Sequence, residues 1–441
     1  MPWIPTTADE QSEMLAALGA ASIDDLFNTI PPELRLTEWN LPPGISEISV
    51  RARLDALAAK NCPGNVCFMG GGVYDHFIPA AVDALSSRSE FYTAYTPYQP
   101  EAAQGTLQSI YEYQSAIARL TSMEVANASL YDGGTAVFEA ATMSSRLTKR
   151  FKVLCHPTLN PVYKRMLRTH TANLSFEILD VPAEGFEPQL DGAACLIVQN
   201  PSFHGDIADF SRAAEACHAA GALLVVSFYP VSLGLLKTPG EMGADIAIAE
   251  GQSLGMSPGF GGPYLGIMAT RRKLIRKMPG RIVAQTQDKQ GRRGFVLTLQ
   301  AREQHIRRER AMSNICSNEA LCALRALLYL CLLGKDGLRD VAEQCHAKAE
   351  YLKGLLRATP GIEVVNAGPT FNEFVVRLPG PADHAVADLL ERGFLAGVPL
   401  AALGAGEPND LLVAVTEKRT RAEIDAFATA IAARNCGHWG N

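Results

Sequence analysis

The sequence lacks the closely spaced cysteines that are typical of zinc-binding or disulfide-rich domains. Its ten cysteines are scattered over 441 residues, and no two of them form a C-x-x-C pair. Neither a zinc module nor a disulfide scaffold is therefore indicated. We expect no metal site, and we expect the thiols to be reduced, as in a cytoplasmic protein.

The sequence also lacks a long apolar run, a leader segment and an excess of basic residues. Its longest apolar stretch, residues 320–334, is interrupted by Arg325 and is too short to span a bilayer. The N-terminal segment MPWIPTTADEQSEML has neither the basic region nor the apolar core of a signal peptide. A net charge of -6 gives no electrostatic footprint for nucleic acid. These absences predict a cytoplasmic protein with no membrane and no nucleic-acid partner.

What the sequence does contain is a glycine-rich segment around which the chain is organised, residues 243–266, GADIAIAEGQSLGMSPGFGGPYLG. The segment has the pattern of a buried strand, a turn and a second apolar run. In α/β sheets, ligands bind where such loops leave the carboxyl ends of parallel strands. Gly259, Gly261 and Gly262 permit positive φ and a close approach by a ligand or another chain. The segment therefore predicts a ligand-binding loop.

Apolar runs alternate with helical patterns from about residue 125 onward. Helical stretches such as 135–148 and 210–220 separate most of these runs. The seven runs cover residues 127–130, 152–155, 174–179, 194–199, 223–227, 245–249 and 264–269. Short apolar runs with helices between them predict an α/β fold with a mainly parallel, seven-stranded sheet that is covered on both faces.

Helical patterns and a helix break predict three parts of the chain. Residues 1–64 form a helical arm of three short helices. The expected caps of those helices are Thr6 or Thr7, Ser22 with Asp25 in a capping box, and Ser46. A break at Gly334 separates a large α/β domain, residues 65–334, from a smaller C-terminal α/β domain, residues 335–441.

One polar segment of the sequence is rich in tyrosine, and another is rich in arginine. Residues 92–101, YTAYTPYQPE, follow a glycine run and by themselves indicate a surface loop whose rings pack on neighbours. The arginine-rich segment 291–321 is most simply a solvated helix face paired with acidic residues. One or two of its arginines are candidates for binding a phosphate or a carboxylate. The arginines are Arg292, Arg293, Arg302, Arg307, Arg308 and Arg310.

Several motifs in combination resemble the P-protein of the glycine cleavage system, which belongs to the pyridoxal-phosphate enzymes of the aspartate-aminotransferase fold. The motifs extend over essentially the whole chain and are YTPYQPE, YDGGTA, GQSLG with FGGPYLG, RGFVLTLQ, REQHIRRE and SNIC. The resemblance implies a PLP-dependent transferase fold of type I. P-proteins exist as one long chain or as two chains, and this sequence is similar to subunit 1 of the two-chain form.

The resemblance also implies a place for a cofactor. Gly133, Gly134 and Thr135, where a strand meets a helix, are expected to cradle a phosphate at the helix N-terminus. His156, at the end of another strand, is expected to stack on the cofactor ring. Without the family, the same residues are an ordinary strand-to-helix turn and a polar strand end.

Two functional groups of such a site are missing from the sequence. Ser253 aligns with the Schiff-base lysine of the family, and Ser227 stands where an aspartate would protonate the pyridine nitrogen. Lys237 lies upstream of the strand and does not replace the missing lysine. We therefore expect a vestigial site that forms no covalent bond with pyridoxal phosphate.

The resemblance implies that a partner, subunit 2, carries the lysine and the covalently bound pyridoxal phosphate. Together the two chains decarboxylate glycine, release CO2 and transfer the aminomethyl group to the lipoyl arm of H-protein. Active sites of this fold lie between two like-folded subunits, so this chain is expected to complete its partner's site within a heterodimer or a dimer of heterodimers. The residues expected to reach that site are Tyr95, Thr96, Tyr98 and Gln99.

Two other hypotheses explain the missing groups differently. A non-catalytic scaffold or regulatory pseudoenzyme of the same complex would contribute no residue to the chemistry, although the aromatic and glycine-rich loops weigh against it. An independent enzyme that uses pyridoxal or pyridoxamine phosphate without a lysine would instead bind the cofactor tightly on the isolated chain. Mutation of the loops and cofactor titration of the isolated chain distinguish these hypotheses.

Overall fold

The structure, a computed structural model, describes residues 5–36, 38, 40–61, 64–259 and 261–436. The remaining positions of the predicted arm and small domain, and Phe260 of the predicted ligand loop, lie outside the described residues. Contacts divide the chain into two units, Met1–Pro63 and Gly64–Asn441.

The first unit is a series of short helices with polar caps. Helix α1 (Ala8–Ala17) begins at a complete capping box, in which the Thr7 hydroxyl accepts from Glu10 N and the Glu10 carboxylate accepts from Thr7 N. The predicted hydrogen bonds between Ser22 and Asp25 form at the start of a single 3₁₀ turn, Asp24–Phe27, whose N-cap position is Ile23. Ser46 caps α2 (Glu47–Ala58). The predicted starts of the first and third helices are confirmed, whereas the second element is only one 3₁₀ turn.

The second unit alternates strands and helices through most of its length. Its strands are β1 (Val66–Cys67), β2 (Val125–Ala126), β3 (Lys152–Cys155), β4 (Glu177–Asp180), β5 (Ala193–Asn200), β6 (Leu223–Phe228), β7 (Ile246–Glu250), β8 (Gly266–Thr270), β9 (Ile282–Gln287), β10 (Arg293–Thr298), β11 (Glu363–Val364), β12 (Glu373–Arg377), β13 (Phe394–Leu395), β14 (Val398–Pro399) and β15 (Asp410–Ala414). Its helices are α3 (Ala80–Ser86), α4 (Gln104–Thr121), α5 (Gly133–Thr148), α6 (Pro161–Thr171), α7 (Ser211–Ala219), α8 (Gln304–Arg307), α9 (Ala320–Arg357), α10 (Ala382–Glu391) and α11 (Arg421–Cys436).

A mainly parallel sheet of seven strands forms the centre of this unit. The strand order is β2-β8-β7-β6-β5-β3-β4, and β8 is antiparallel to both of its neighbours. The five neighbouring strands β7, β6, β5, β3 and β4 are parallel, so their carboxyl ends lie at one edge of the sheet. The predicted seven-stranded α/β sheet is therefore confirmed. Six of the seven predicted runs overlap their strands, whereas the run at 127–130 follows β2 and contributes only a bridge at Leu130.

Apolar side chains cover both faces of the sheet because successive strand residues point to opposite sides. Val153 and Ile197 pack beneath α5 and α6, whereas Leu154 and Leu196 pack against α7. Strand β5 is buried over nearly its whole length, as expected for a central parallel strand. The resulting three layers leave the carboxyl ends of the strands as the natural position for a site.

The C-terminal part of the unit contains a second sheet. It is antiparallel, with the strand order β11-β12-β15-β14, and its core includes the stacked rings of Phe68 and Phe427. Helix α9 leads into this part of the chain and is interrupted at Gly334, whose φ of 61° and ψ of −168° are not helical.

The arginine-rich segment was predicted to be mostly a solvated helix face, and that prediction is wrong for its first part. Arg293 begins β10, which forms an antiparallel hairpin with β9. Alternate residues such as Phe295 and Leu297 are buried, which is the period of a half-covered strand. Arg302 is also buried and donates to the carbonyl oxygens of Leu299, Met278 and Gly280. These contacts satisfy its guanidinium within the chain.

Candidate functional site

A small cavity lies at the carboxyl ends of β5, β6 and β7. The centres of water molecules could occupy a volume of about 30 Å³ in this cavity. Since one water needs roughly 10–15 Å³ on this measure, the cavity has room for about two waters. Its polar lining includes Asn160, Tyr163, Gln199, Ser227, Glu250 and Glu373. The fold therefore places a polar cavity at the expected edge of the sheet, but the cavity is nearly filled by the protein's own side chains.

Glu250, the last residue of β7, occupies the centre of this region. Its Oε2 accepts from Gly133 N at 2.9 Å, and its Oε1 accepts from Gln252 N at 2.9 Å and from Leu265 N at 3.0 Å. Burial raises the pKa of Glu250 to about 7, even though the three N–H donors favour the charged form. One carboxyl group thus joins the start of α5 to both ends of the glycine-rich loop.

The N-terminus of α5 is occupied by carboxyl groups of the chain itself. Asp132 caps the helix by accepting from Thr135 N at 2.6 Å, while Glu250 accepts from Gly133 N. An added Cβ at Gly133 would lie 2.5 Å from the Tyr163 hydroxyl, and one at Gly134 would lie 2.2 Å from Met166 Sδ. The predicted cradle is therefore a helix start, but side chains already fill the space in which a phosphate would lie.

Glu373 forms a second buried acidic contact beside the cavity. Its Oε2 accepts from the Tyr74 hydroxyl at 2.8 Å and its Oε1 accepts from Gly71 N at 2.6 Å. Burial raises the pKa of Glu373 to about 7. The backbone N–H of Tyr74 donates to Gln252 Oε1, and Gln252 Nε2 donates to the carbonyl oxygen of Tyr74. The glycine run at 70–72 is therefore held between β12 and the glycine-rich loop.

The residues of this cavity do not fit pyridoxal phosphate. Two carboxyl groups already occupy backbone N–H donors at the N-terminus of α5 where a phosphate would bind, and the remaining space is too small for a pyridine ring. Ser227 lines the cavity, but a hydroxyl does not stabilise a pyridinium as a carboxylate does. Ser253 is buried, and its hydroxyl has no hydrogen-bond partner among the described residues. Lys237 lies elsewhere and pairs with Asp209 at 2.9 Å.

His156 does not belong to the lining of this cavity. Its imidazole contacts the Thr158 hydroxyl and the carbonyl oxygen of Ala183. The ring packs edge-on against Phe186 and Phe210, with centroids 6.1 and 5.4 Å away. Burial lowers the pKa of His156. The structure thus brings Gly133, Ser227 and Ser253 to one edge of the sheet and directs the His156 ring into an aromatic layer.

The aromatic loop lies on a different surface and is open to solvent. Tyr95 is 86% exposed, and its hydroxyl lies 2.6 Å from the hydroxyl of Ser317. Tyr98 is half exposed, and its ring centroid lies 5.3 Å from that of His305. Thr96 is partly buried, whereas Gln99 is exposed. A groove of about 390 Å³ separates part of this loop from residues 317–324.

A buried ion pair supports Tyr98 from below. The Arg281 guanidinium lies 5.9 Å from the centroid of the Tyr98 ring, a distance at which a cation attracts the ring face. Arg281 is 4% exposed and lies 3.7 Å from the carboxylate of Glu303. The predicted tyrosines and the end of the arginine-rich segment therefore form one surface, which we call the tyrosine surface (Tyr95, Tyr98, Arg281, His305 and Ser317).

Several residues that line the cavity were not predicted from the sequence. Tyr163, Glu250 and Glu373 lie 87 or more residues apart in the chain, so no local motif joins them. A signal was available for Glu250, because an acidic residue ends the apolar run DIAIAE at the carboxyl end of a buried strand. Nothing in the local pattern distinguishes Tyr163 or Glu373 from ordinary core residues.

Within the described part of the chain, every helix is too short or too polar to cross a membrane.

Comparisons with known proteins agree on one family. The family model described as "Glycine cleavage system P-protein" matches residues 1–431. A relative from Citrifermentans bemidjiense, described as "Probable glycine dehydrogenase (decarboxylating) subunit 1", is 52% identical over 444 residues, which cover 99% of this chain and all of the relative. A relative from Geotalea uraniireducens with the same description is 53% identical and covers 97% of this chain and 98% of the relative.

Solved structures agree with the sequence comparisons. A crystal structure of glycine decarboxylase (P-protein) of the glycine cleavage system, in inhibitor-bound form, has a TM-score of 0.91 and 44% identity, and it covers 98% of this chain and all of that chain. A sphingosine-1-phosphate lyase from Burkholderia pseudomallei has a TM-score of 0.64 at 15% identity, covering 91% and 94%, and it shows the fold alone. The predicted PLP-dependent transferase fold of type I is confirmed.

Proposed function

Because the chain belongs to the glycine cleavage system P-protein family, we propose that it is the lysine-free subunit of a two-chain glycine decarboxylase. In this proposal, pyridoxal phosphate is bound covalently by a second, lysine-bearing subunit, and this chain completes the partner's site. Relatives that match this chain over nearly their full length are described as subunit 1, which supports the existence of a second subunit.

The observation that carries the proposal is the position of Glu250. Its carboxyl group accepts the Gly133 N–H at the start of α5, where a phosphate-binding helix of this fold would need a free donor. The chain therefore has its own acid in the place of a ligand. We infer that Gly133, Gly134, Thr135, His156 and Ser253 are the remains of a cofactor site that no longer binds cofactor.

The tyrosine surface is the part of the chain that we assign to the partner's site. We propose that Tyr95, Thr96, Tyr98 and Gln99 reach the pocket in which the partner binds glycine. When bound there, the cofactor supplies the electron sink for the loss of CO2. The contribution of this chain is to position side chains, and the Arg281 guanidinium beneath Tyr98 limits the freedom of that ring. In the reaction that the family implies, the lipoyl arm of H-protein then accepts the aminomethyl group.

The N-terminal arm also supports a heteromeric protein. Neither α1 nor α2 has a buried residue. Large apolar side chains such as Leu34, Leu36 and Ile48 are between 68% and 78% exposed. Apolar side chains at this density on a surface mark a region that binds another protein. We propose that the arm packs on the lysine-bearing subunit, within a heterodimer or a dimer of two heterodimers.

The proposal is tested with variants of the tyrosine surface. Each variant is mixed with the lysine-bearing subunit, and glycine-dependent exchange of labelled CO2 is measured with H-protein present. Tyr98→Ala should lower the exchange rate about 10-fold or more, because a displaced contact at a reacting centre has effects of this size. Tyr95→Phe, which removes only the hydroxyl bonded to Ser317, should have a smaller effect in the same direction.

A matched control is Tyr351→Phe, because the Tyr351 hydroxyl bonds to Asp425 in the C-terminal part of the chain. This variant should retain the wild-type rate, and all variants should elute with the partner in size-exclusion chromatography. Unchanged exchange in Tyr98→Ala and Tyr95→Phe, with the complex intact, would contradict the assignment. That outcome would favour the scaffold hypothesis, which the filled cavity also allows.

A further inference from the structure

A cluster of metal-ligating side chains lies beside the cavity and has no part in the proposed function. His76 precedes α3, Cys345 lies in the second half of α9, and Glu417 follows β15. Their ligand atoms, Nδ1, Sγ and a carboxylate oxygen, all lie within 4.8 Å of one another. His76 and Cys345 are 4% and 0% exposed. We propose that these three residues bind a divalent transition-metal ion, with zinc as the best fit.

The spacing of the ligand atoms supports this assignment. Metal–ligand distances of about 2.0 Å for nitrogen and oxygen and about 2.3 Å for sulfur place tetrahedral neighbours roughly 3.3 to 3.6 Å apart. Cys345 Sγ lies 3.4 Å from Glu417 Oε2, which already matches. His76 Nδ1 lies 2.7 Å from the same oxygen, so an entering ion requires these two atoms to separate by roughly 0.6 Å.

Partners outside the cluster occupy the second polar side-chain atom of His76 and of Glu417. The Tyr229 hydroxyl contacts His76 Nε2, so Nδ1 is the nitrogen that remains for a metal. The backbone N–H of Phe77 donates to Glu417 Oε1 at 2.6 Å and leaves Oε2 for the ion. Metal-binding histidines and carboxylates usually have such supporting contacts. Lys348 donates to the carbonyl oxygen of Glu417 and not to its carboxylate.

The chemistry of the ligands selects the class of metal. A thiolate, an imidazole and a carboxylate together suit zinc or a neighbouring transition ion and do not suit calcium or magnesium. With a thiolate and a carboxylate, a dication gives a buried cluster of zero net charge. The ion displaces the thiol proton and the hydrogen bond between His76 and Glu417. Three protein ligands leave one tetrahedral position for water.

The sequence contains no motif for this site because 341 residues separate His76 from Glu417. In the folded chain, an ion would join the segment before α3, helix α9 and the end of β15. The inference is independent of glycine decarboxylation, and its test requires no activity measurement.

Cobalt(II) titration of the full-length chain tests the site directly, because a cobalt thiolate has a charge-transfer absorption that oxygen and nitrogen ligands do not give. We expect saturation at one cobalt ion per chain, release of the ion by added zinc, and a higher melting temperature with zinc present. Cys345→Ser should abolish the charge-transfer band and the thermal shift. Tyr229→Phe should keep the band and weaken metal affinity about 10- to 100-fold.

Cys322→Ser is the matched control, because Cys322 is also buried in α9 but does not belong to the cluster. It should retain the band and the thermal shift of the wild type. Circular dichroism establishes that each variant is folded. A wild-type chain that gives neither band nor shift would overturn the inference and leave a hydrogen-bonded cluster. Equal binding by folded Cys345→Ser and wild type would overturn it as well.

Discussion

Buried carboxyl groups determine the chemistry of this chain at the scale of single residues. Glu250 and Glu373 each accept backbone or hydroxyl hydrogen bonds beside the cavity, and Glu139 in α5 accepts from the Ser313 hydroxyl through Oε1. Burial raises the pKa of all three to about 7. Each group therefore holds its proton in the folded protein at a pH where an exposed glutamate has lost it.

The raised pKa values predict that stability falls as pH rises. An unfolded glutamate loses its proton near pH 4.5, whereas folded Glu373 keeps its proton up to about pH 7. Between these values the folded state binds more protons, so the free energy of unfolding decreases with increasing pH. The loss from one such group is at most about 3.5 kcal/mol, since each unit of pKa corresponds to about 1.4 kcal/mol.

Glu373→Gln tests this dependence because the amide keeps groups that can contact Tyr74 and Gly71. The free energy of unfolding, measured by urea denaturation at pH 5.5 and pH 8, should fall less in the variant than in the wild type. Glu241→Gln is the control. Hydrogen bonds from Thr238 lower the pKa of Glu241, so this group does not titrate between pH 5.5 and pH 8. An equal decrease in wild type and Glu373→Gln would contradict the pKa assigned to Glu373.

The residues that could be proposed from sequence are those that a local pattern or a family motif marks. Ser227 and Ser253 were assigned through the family resemblance, because they stand where the family has an aspartate and a lysine, and their roles stay predictions. The position of Glu250 could not be derived in the same way, since its importance depends on contact with Gly133, 117 residues earlier. His156 was assigned to the cofactor by family, but its ring direction depends on Phe186 and Phe210.

At the scale of elements, periodicity predicted the central sheet better than it predicted the segments around it. Strands β5 and β6 contain the continuous apolar runs CLIV and LLVV, and such runs are easily recognised. The β9–β10 hairpin was missed because Arg292 and Arg293 at its turn were interpreted as part of a solvated helix face, although Phe295 and Leu297 alternate with less buried residues. The short β2 was misplaced because the extended chain after it is also buried.

The break in α9 leads to a prediction about one glycine. Gly334 adopts a φ of 61° and a ψ of −168°, a conformation that is essentially restricted to glycine. Gly334→Ala should therefore lower the free energy of unfolding by about 1–3 kcal/mol, although an added Cβ would meet no atom within 4 Å. The measurement is urea denaturation monitored by circular dichroism.

Gly354→Ala provides the matched control in the same helix. Gly354 is exposed, has no unusual φ, and an added Cβ would also meet no atom within 4 Å. This substitution should raise the free energy of unfolding by about 0.5–1 kcal/mol, because alanine favours a helix over glycine. If both variants had the same effect, the break at Gly334 would not depend on its backbone conformation. The domain boundary predicted at this residue stays a prediction.

At the scale of the whole molecule, the chain has a cofactor-binding fold whose cavity is closed by its own side chains. Tyr95 and Tyr98 of the tyrosine surface are exposed to solvent, and the N-terminal arm exposes apolar side chains. A cavity filled by side chains together with exposed tyrosines is the arrangement that we expect of the subunit proposed above, which would act on a site in another chain. Partner, cofactor and acceptor could be inferred only through the family, because composition and periodicity carry no information about them.

The most direct test of this account compares the chain alone with its mixture with a lysine-bearing subunit. Pyridoxal phosphate is added to both samples, unbound cofactor is removed, and the cofactor absorption and the glycine-dependent exchange of labelled CO2 are then measured with H-protein present. The account predicts retained cofactor and exchange only in the mixture. Retained cofactor or exchange in the chain alone would contradict it, because the Glu250 carboxyl group would then not exclude the phosphate.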